Sequence, residues 1–143
     1  ELYLNSKKIK KAHLVESPYV KDSKINFLND SDREAIAEKI DQIKQDEAFF
    51  INPKNNFRDF ASLINFPNHL IRAYLKTEET SYIDIKNKIR LTFAKRVLLE
   101  TKLTYNLDYV AEKSGFNSRS NFYTIFKKYE KCTPREYLKK KTK

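Results

Sequence analysis

Hydrophobic residues recur along this chain at intervals of three and four. Ile36, Ile40 and Ile43 follow one another at helical spacing, which predicts an amphipathic helix over 32–45. Ser31 with Glu34 three residues on has the capping-box arrangement at its start. Phe57, Phe60, Ala61 and Ile64 stand at i, i+3, i+4 and i+7, one face of a second helix that Asn56 is placed to cap. Pro67 suits the first turn of a third, where its missing N–H costs nothing. Leu70, Ala73 and Tyr74 give that helix its apolar side. The longest candidate covers 82–99, with Ile85, Ile89, Phe93 and Val97 every four residues. Asn106 begins a short helix carrying Leu107, Val110 and Ala111, which Gly115 ends. Ser118 begins another, with Phe122, Ile125, Phe126 and Tyr129 inward, and Thr133, Pro134 and Glu136 form a second capping box with proline at the first helical position. All of 31–140 reads as helical, so the predicted fold class is all-α. Residues 1–30, with Lys7, Lys8, Lys10, Lys11 and Pro18, read as an N-terminal arm or linker.

The pattern repeats internally. Phe57, Phe60, Ala61, Asn65 and Phe66 match Leu107, Val110, Ala111, Gly115 and Phe116 at a constant offset of 50. The helices that follow match at an offset of 52, with Leu70 and Tyr74 falling on Phe122 and Phe126. Each copy reads as helix, tight turn, helix, at about 57–76 and 107–129. The turn of such a pair often requires φ > 0, which Gly115 supplies without strain and Asn65 tolerates better than most residues.

Charge changes the picture more than overall composition does. Residues 1–66 hold 11 Lys+Arg and 11 Asp+Glu, whereas residues 67–143 hold 18 against 8, so the whole formal excess of +10 lies in the second part. Such an excess suits a polyanionic partner, either nucleic acid or an anionic membrane, or else simply forms a solubilising surface. One cysteine, Cys132, excludes an internal disulfide framework and a Cys-based zinc site. A single glycine argues against phosphate-cradling and dinucleotide-binding loops. No apolar run is long enough to span a bilayer, and no signal-peptide pattern opens the sequence. The absence of any Met points to a fragment or processed product.

Three segments together resemble the AraC/XylS family of bacterial transcription regulators: 106–116 (NLDYVAEKSGF), 120–129 (SNFYTIFKKY) and 133–137 (TPREY). Residues 57–76 match the family's first motif less closely, and Arg90, Leu91 and Ala94 fit its connecting helix. The resemblance covers roughly 57–138. This sequence departs from the family pattern at Asn65 and Lys131, where glycine is usual, at Ser114, where an apolar residue is usual, and at Phe66–Pro67, where serine usually opens the helix. The resemblance implies a DNA-binding domain over 56–143, with two helix-turn-helix motifs joined by a long linker helix and preceded by an N-terminal helical extension. Residues 31–55 would be an amphipathic helix serving as linker or dimerisation segment. It also implies a sensor or effector domain outside this sequence, a cytoplasmic location, and RNA polymerase as a further candidate partner.

Periodicity then selects the outward residues, which either face DNA or form an ordinary solvated face. In 118–129 the side opposite the apolar face carries Arg119, Ser120, Tyr123 and Lys127, with Thr124 beside it. Arg119, early in the helix, is suited to a bidentate contact with guanine, and Tyr123 and Thr124 to bases or phosphates. In 67–76 the outward side carries Asn68, Ile71, Arg72 and Lys76, with His69 at the edge. Asn68 suits adenine and Arg72 guanine or phosphate. Ile71 either touches a thymine methyl or packs on the neighbouring helix, and His69 packs or meets a phosphate. Lys76, Lys127, Lys128 and Lys131 are expected on phosphates, where they position without reading sequence. Lys139, Lys140 and Lys141 either join them or form a solubilising end. Cys132 reads as a buried, inert thiol. No cofactor, metal site or catalytic constellation is expected. The competing function is a protein-interaction or dimerisation module, working through 32–45 and the linker helix and binding DNA only non-specifically.

Overall fold

The computed structural model describes residues 28–102 and 106–143, and every described element is helical. The N-terminal arm, with Lys7, Lys8, Lys10, Lys11 and Pro18, lies outside the described residues apart from its last few. In chain order the helices are α1 (Asp30–Lys44), α2 (Glu47–Ile51), α3 (Phe57–Ile64), α4 (Asn68–Thr77), α5 (Tyr82–Thr101), α6 (Leu107–Lys113), α7 (Arg119–Glu130) and α8 (Pro134–Lys141).

Four of the six predicted starts carry the predicted cap. Asn56 and Asp59 close a reciprocal capping box on α3, as do Thr133 and Glu136 on α8, while Ser118 and Asn106 accept from backbone amides of α7 and α6. Two starts differ. α1 begins earlier than predicted, because Asn29 rather than Ser31 is its cap and accepts from the Asp32 amide at 2.7 Å. An Asn side chain two residues upstream captures the free amide before Ser31 is reached. Pro67 occupies the cap position of α4 and not its first turn, so that helix starts without a side-chain cap bond. The five-residue α2 was not foreseen, being too short to show a period.

Two apolar clusters hold the chain together. The first joins Ile36, Ile40, Phe50, Phe60, Ile64, Ile71 and Leu75 with the opening turns of α5, Tyr82 and Ile85. The second joins Leu91, Ala94 and Leu98 of α5 with Val110, Phe116, Phe122, Phe126 and Cys132. α5 therefore serves both units. It buries Tyr82 and Ile85 in one, Leu91, Ala94, Val97 and Leu98 in the other, and leaves Ile89 and Phe93 of the predicted stripe only half-buried. A helix gripped from different sides along its length has no single apolar face. α1 places Ile36 and Ile40 in the first core at 0% and 2% exposure. Ile43, the third isoleucine of the predicted face, is half-buried.

The junction of the units is polar and tightly closed. Arg90, at the middle of α5 and 5% exposed, donates from Nε to the Phe50 carbonyl at 2.6 Å and from Nη2 to the Asn52 carbonyl at 3.4 Å. It satisfies carbonyls that the C-terminus of α2 leaves without helical partners. Burial lowers its pKa from the ordinary arginine value. Gly115 has φ +80°, and a Cβ on it would stand 2.1 Å from the Ile51 carbonyl oxygen. Its lack of a side chain is required twice, by the turn and by the backbone of α2. Asn65 takes the matching left-handed conformation at φ 58°, and Lys131 does so at φ 59°. Ser114, fully buried, donates its hydroxyl to the Val110 carbonyl at 2.7 Å, which is how a polar residue is accommodated at an apolar position. Cys132 is buried in the second core, as expected of an inert thiol.

Candidate nucleic-acid interface

α3 and α4 form one helix-turn-helix unit and α6 and α7 the other. In α7, Phe122 and Phe126 are fully buried, which fixes the helix's rotation and turns Arg119, Ser120, Tyr123, Thr124, Lys127 and Lys128 to solvent. Tyr123 keeps 39% of its surface exposed. The opposite end of the helix is tied down. Tyr129 donates its hydroxyl to Asp84 Oδ1 at 2.6 Å, and Lys95 pairs with Glu130 at 2.8 Å. Hydrogen bonds from Ser81 and Tyr129 lower the Asp84 pKa from the usual carboxylate value, while burial and the Asp84 bond raise that of Tyr129.

Arg119, Ser120, Tyr123 and Thr124 line an open groove of about 620 Å³ together with Leu107 and Arg135. The four predicted base-reading residues of the second motif thus share one concavity. Arg119 Nη1 lies 3.6 Å from Asp108 Oδ2, and both side chains are about 60% exposed. At that exposure the pair contributes little stability. Arg135 was missed at the sequence level. It belongs to α8, and only the packing of α8 on the second unit brings it to this groove.

In α4 the buried residues are Leu70, Ile71 and Leu75, at 9%, 0% and 4% exposure. Asn68, His69, Arg72 and Lys76 are exposed, while Ala73 and Tyr74 are half-buried. Ile71 therefore leaves the base-reading set: of its two readings, packing is the one observed. The reason is a register error. The left-handed residues Asn65 and Gly115 are 50 apart, but the caps Pro67 and Ser118 are 51 apart, because the second turn contains one extra residue. At the offset of 51, Ile71 and Leu75 fall on Phe122 and Phe126, and all four are buried. The offset of 52 paired Leu70 with Phe122 and pushed Ile71 outward. With the register corrected, Asn68, Arg72 and Lys76 become the positional equivalents of Arg119, Tyr123 and Lys127.

Arg72 is held in place: its guanidinium sits 4.1 Å from the centre of the Phe57 ring, a stacking contact that restricts a long side chain. Arg58, also missed, lines a smaller polar groove with Asn65 and Asn68 at the mouth of the first unit. The two units differ in charge. Residues 56–80 hold three Lys+Arg and three Asp+Glu, whereas residues 106–143 hold ten and four. Lys131 is exposed at the C-cap of α7, and Lys139, Lys140 and Lys141 are exposed on α8. Among the described residues no helix is long and apolar enough to cross a membrane.

Two helix-turn-helix units on a shared central helix define a class, the double helix-turn-helix domain. A helix-turn-helix domain family matches residues 66–140, about half of the chain. The chain belongs to the AraC/XylS family of transcription regulators. It is 35% identical over 85 residues to the porin thermoregulatory protein EnvY of Escherichia coli K12, a match covering 59% of this chain and 33% of EnvY. It is 26% identical over 137 residues to the DNA-binding dual transcriptional regulator Rns of Escherichia coli, covering 96% of this chain and 46% of Rns. The chain thus spans less than half the length of the curated relatives it matches. Among solved structures, a DNA-binding transcriptional dual regulator from Escherichia coli K-12 superposes with a TM-score of 0.59 at 24% identity, over 82% of this chain and 98% of that one. ToxT from Vibrio cholerae superposes with a TM-score of 0.56 at 19% identity, over 96% of this chain and 46% of that one. At these identities the two structures establish the shared fold. The family and its named members are transcriptional regulators, not enzymes.

Proposed function

We propose that this chain is the DNA-reading part of a transcription regulator and that α4 and α7 enter successive major grooves of one duplex. The observation that carries the reading is the matched exposure of the two helices. Asn68, Arg72 and Lys76 on one and Arg119, Tyr123 and Lys127 on the other occupy equivalent steps and face solvent, while Ile71, Leu75, Phe122 and Phe126 lock each helix's rotation from inside. α5 has 20 residues, about 30 Å at 1.5 Å per residue. One turn of B-DNA is about 34 Å, so a rigid α5 suits the placement of both helices on one face. Because the reading residues of the two helices differ, the site would be non-palindromic. The charge difference between the units supports α7 as the main electrostatic anchor and α4 as the more weakly held reader. Relatives of more than twice the matched length support a sensor or effector segment outside these 143 residues. Contact with RNA polymerase belongs to the same proposal.

The test is selection from a random duplex pool, followed by footprinting and insertion of half a helical turn between the protected halves. Two unlike protected halves and a clear loss of affinity on insertion are expected. A protected palindrome, or indifference to the insertion, overturns the two-groove reading. With roughly six phosphates neutralised, log K should fall against log salt with a slope near −5. Affinity that ignores salt overturns the electrostatic part.

A further inference from the structure

Each reading helix is followed by a helix whose first turn borders the same groove, and the two first turns are related positions. Ser81 caps α5 and Thr133 caps α8, with carboxylates three residues on at Asp84 and Glu136. At this offset of 52, Tyr82 matches Pro134, both buried, and Ile83 matches Arg135. The repeat therefore has three helices and not two. In the first copy Ile83 borders a groove with Phe57, Arg72 and Lys76. In the second, Arg135 borders the groove of Arg119, Tyr123 and Thr124. Ile83 is 60% exposed, more than any other large hydrophobic residue among those described. Arg135 is exposed and makes no ion pair among the described residues.

We infer that the first turn of this third helix is a wall of each DNA groove, and that Arg135 holds a backbone phosphate of the strand α7 reads. The inference rests on the DNA-binding reading above. Arg119 lies against Asp108, which leaves Arg135 as the cation lining the groove that has no ion pair among the described residues. A guanidinium presents two parallel N–H donors that match phosphate oxygens. A contact from a second element also fixes what α7 cannot fix alone. Phe122 and Phe126 fix α7 within its unit, but a unit held on DNA through α7 alone can roll as a body about that helix's axis, and an anchor on α8, off that axis, resists the roll. In the first copy Ile83 offers only van der Waals contact with a sugar, so the first unit lacks this anchor.

The experiment is equilibrium binding of the 143-residue chain to its selected duplex and to a scrambled one, across a salt series. Arg135→Ala should weaken both duplexes by the same factor, roughly fivefold at about 0.15 M salt, and reduce the salt slope by about one in magnitude. Arg135→Lys should restore most of the slope, since the charge remains. Ile83→Arg should install the missing anchor, tightening both duplexes and steepening the slope by about one. That variant tests the proposal by a gain, which misfolding does not mimic. An unchanged slope in Arg135→Ala and in Ile83→Arg, with normal binding by the parent chain, overturns this inference alone. A changed base preference in Arg135→Ala overturns the phosphate assignment in favour of base contact. Failure of the parent chain to bind duplex DNA overturns both this inference and the function on which it rests.

Discussion

Adding one methyl group at Gly115 should disrupt the junction between the two helix-turn-helix units. In Gly115→Ala the new Cβ would lie 2.1 Å from the Ile51 carbonyl oxygen, 2.8 Å from its carbon and 3.0 Å from its Cα. All three are backbone atoms and cannot swing away. The φ of +80° adds about 1–2 kcal/mol of left-handed strain for any residue with a Cβ. Relieving the clash means moving the end of α2 by roughly 1 Å, against the close packing of an interior. α2 carries Phe50, fully buried, and the Phe50 carbonyl that accepts from Arg90 at 2.6 Å. Losing a hydrogen bond to a charged group costs about 1.5–3 kcal/mol. The total comes to about 3–5 kcal/mol, a large share of the 5–15 kcal/mol typical of a domain. Asn65→Ala provides the control, because Asn65 is left-handed too, at φ 58°, and should cost only about 1 kcal/mol of strain. Thermal unfolding followed by circular dichroism should place Gly115→Ala more than about 10 °C below the parent and well below Asn65→Ala. If the two variants lose equal stability, the close approach to Ile51 carries no energetic weight and the reasoning fails.

Ile71→Ala should cost about 2–5 kcal/mol in urea unfolding, as a fully buried aliphatic does; a loss under about 0.5 kcal/mol would return Ile71 to the surface. Arg119→Ala should relax preference at one base position and cost about 1–3 kcal/mol, whereas Lys128→Ala should weaken all sequences alike. Equal, sequence-independent losses would remove Arg119 from base readout. Asp84 is held below its usual pKa by Ser81 and Tyr129, so its ionised form stabilises the fold above the ordinary carboxylate pKa, and this stabilisation is lost as pH falls through the lowered folded value. Asp84→Asn should therefore be less stable than the parent at neutral pH, with the gap closing in acid; a gap independent of pH would show that the Asp84 charge does not matter.

Helix positions were legible because a helix buries one side, and that requirement writes a three-to-four residue period into the chain. Caps were legible because a free backbone amide within two or three residues needs a nearby acceptor. Asn56, Ser118, Asn106 and Thr133 all perform this local task. Gly115 and Asn65 were found for the same reason, since φ > 0 is a property of one residue. What depends on distance along the chain was not legible. The one-residue difference between the two turns decided whether Ile71 faces DNA or the core, and matching apolar letters did not resolve it because Leu70 and Ile71 are both apolar neighbours. α2 has no period to show, yet the ends of Arg90 and the turn at Gly115 both close on its carbonyls, from 38 to 40 positions away in one case and from the other unit in the second. Arg135 could be placed on a helix from its sequence, but not beside Arg119. Local hydrogen bonds and side-chain periods are encoded residue by residue, whereas the grooves exist only where helices distant in sequence meet to bury their shared cores.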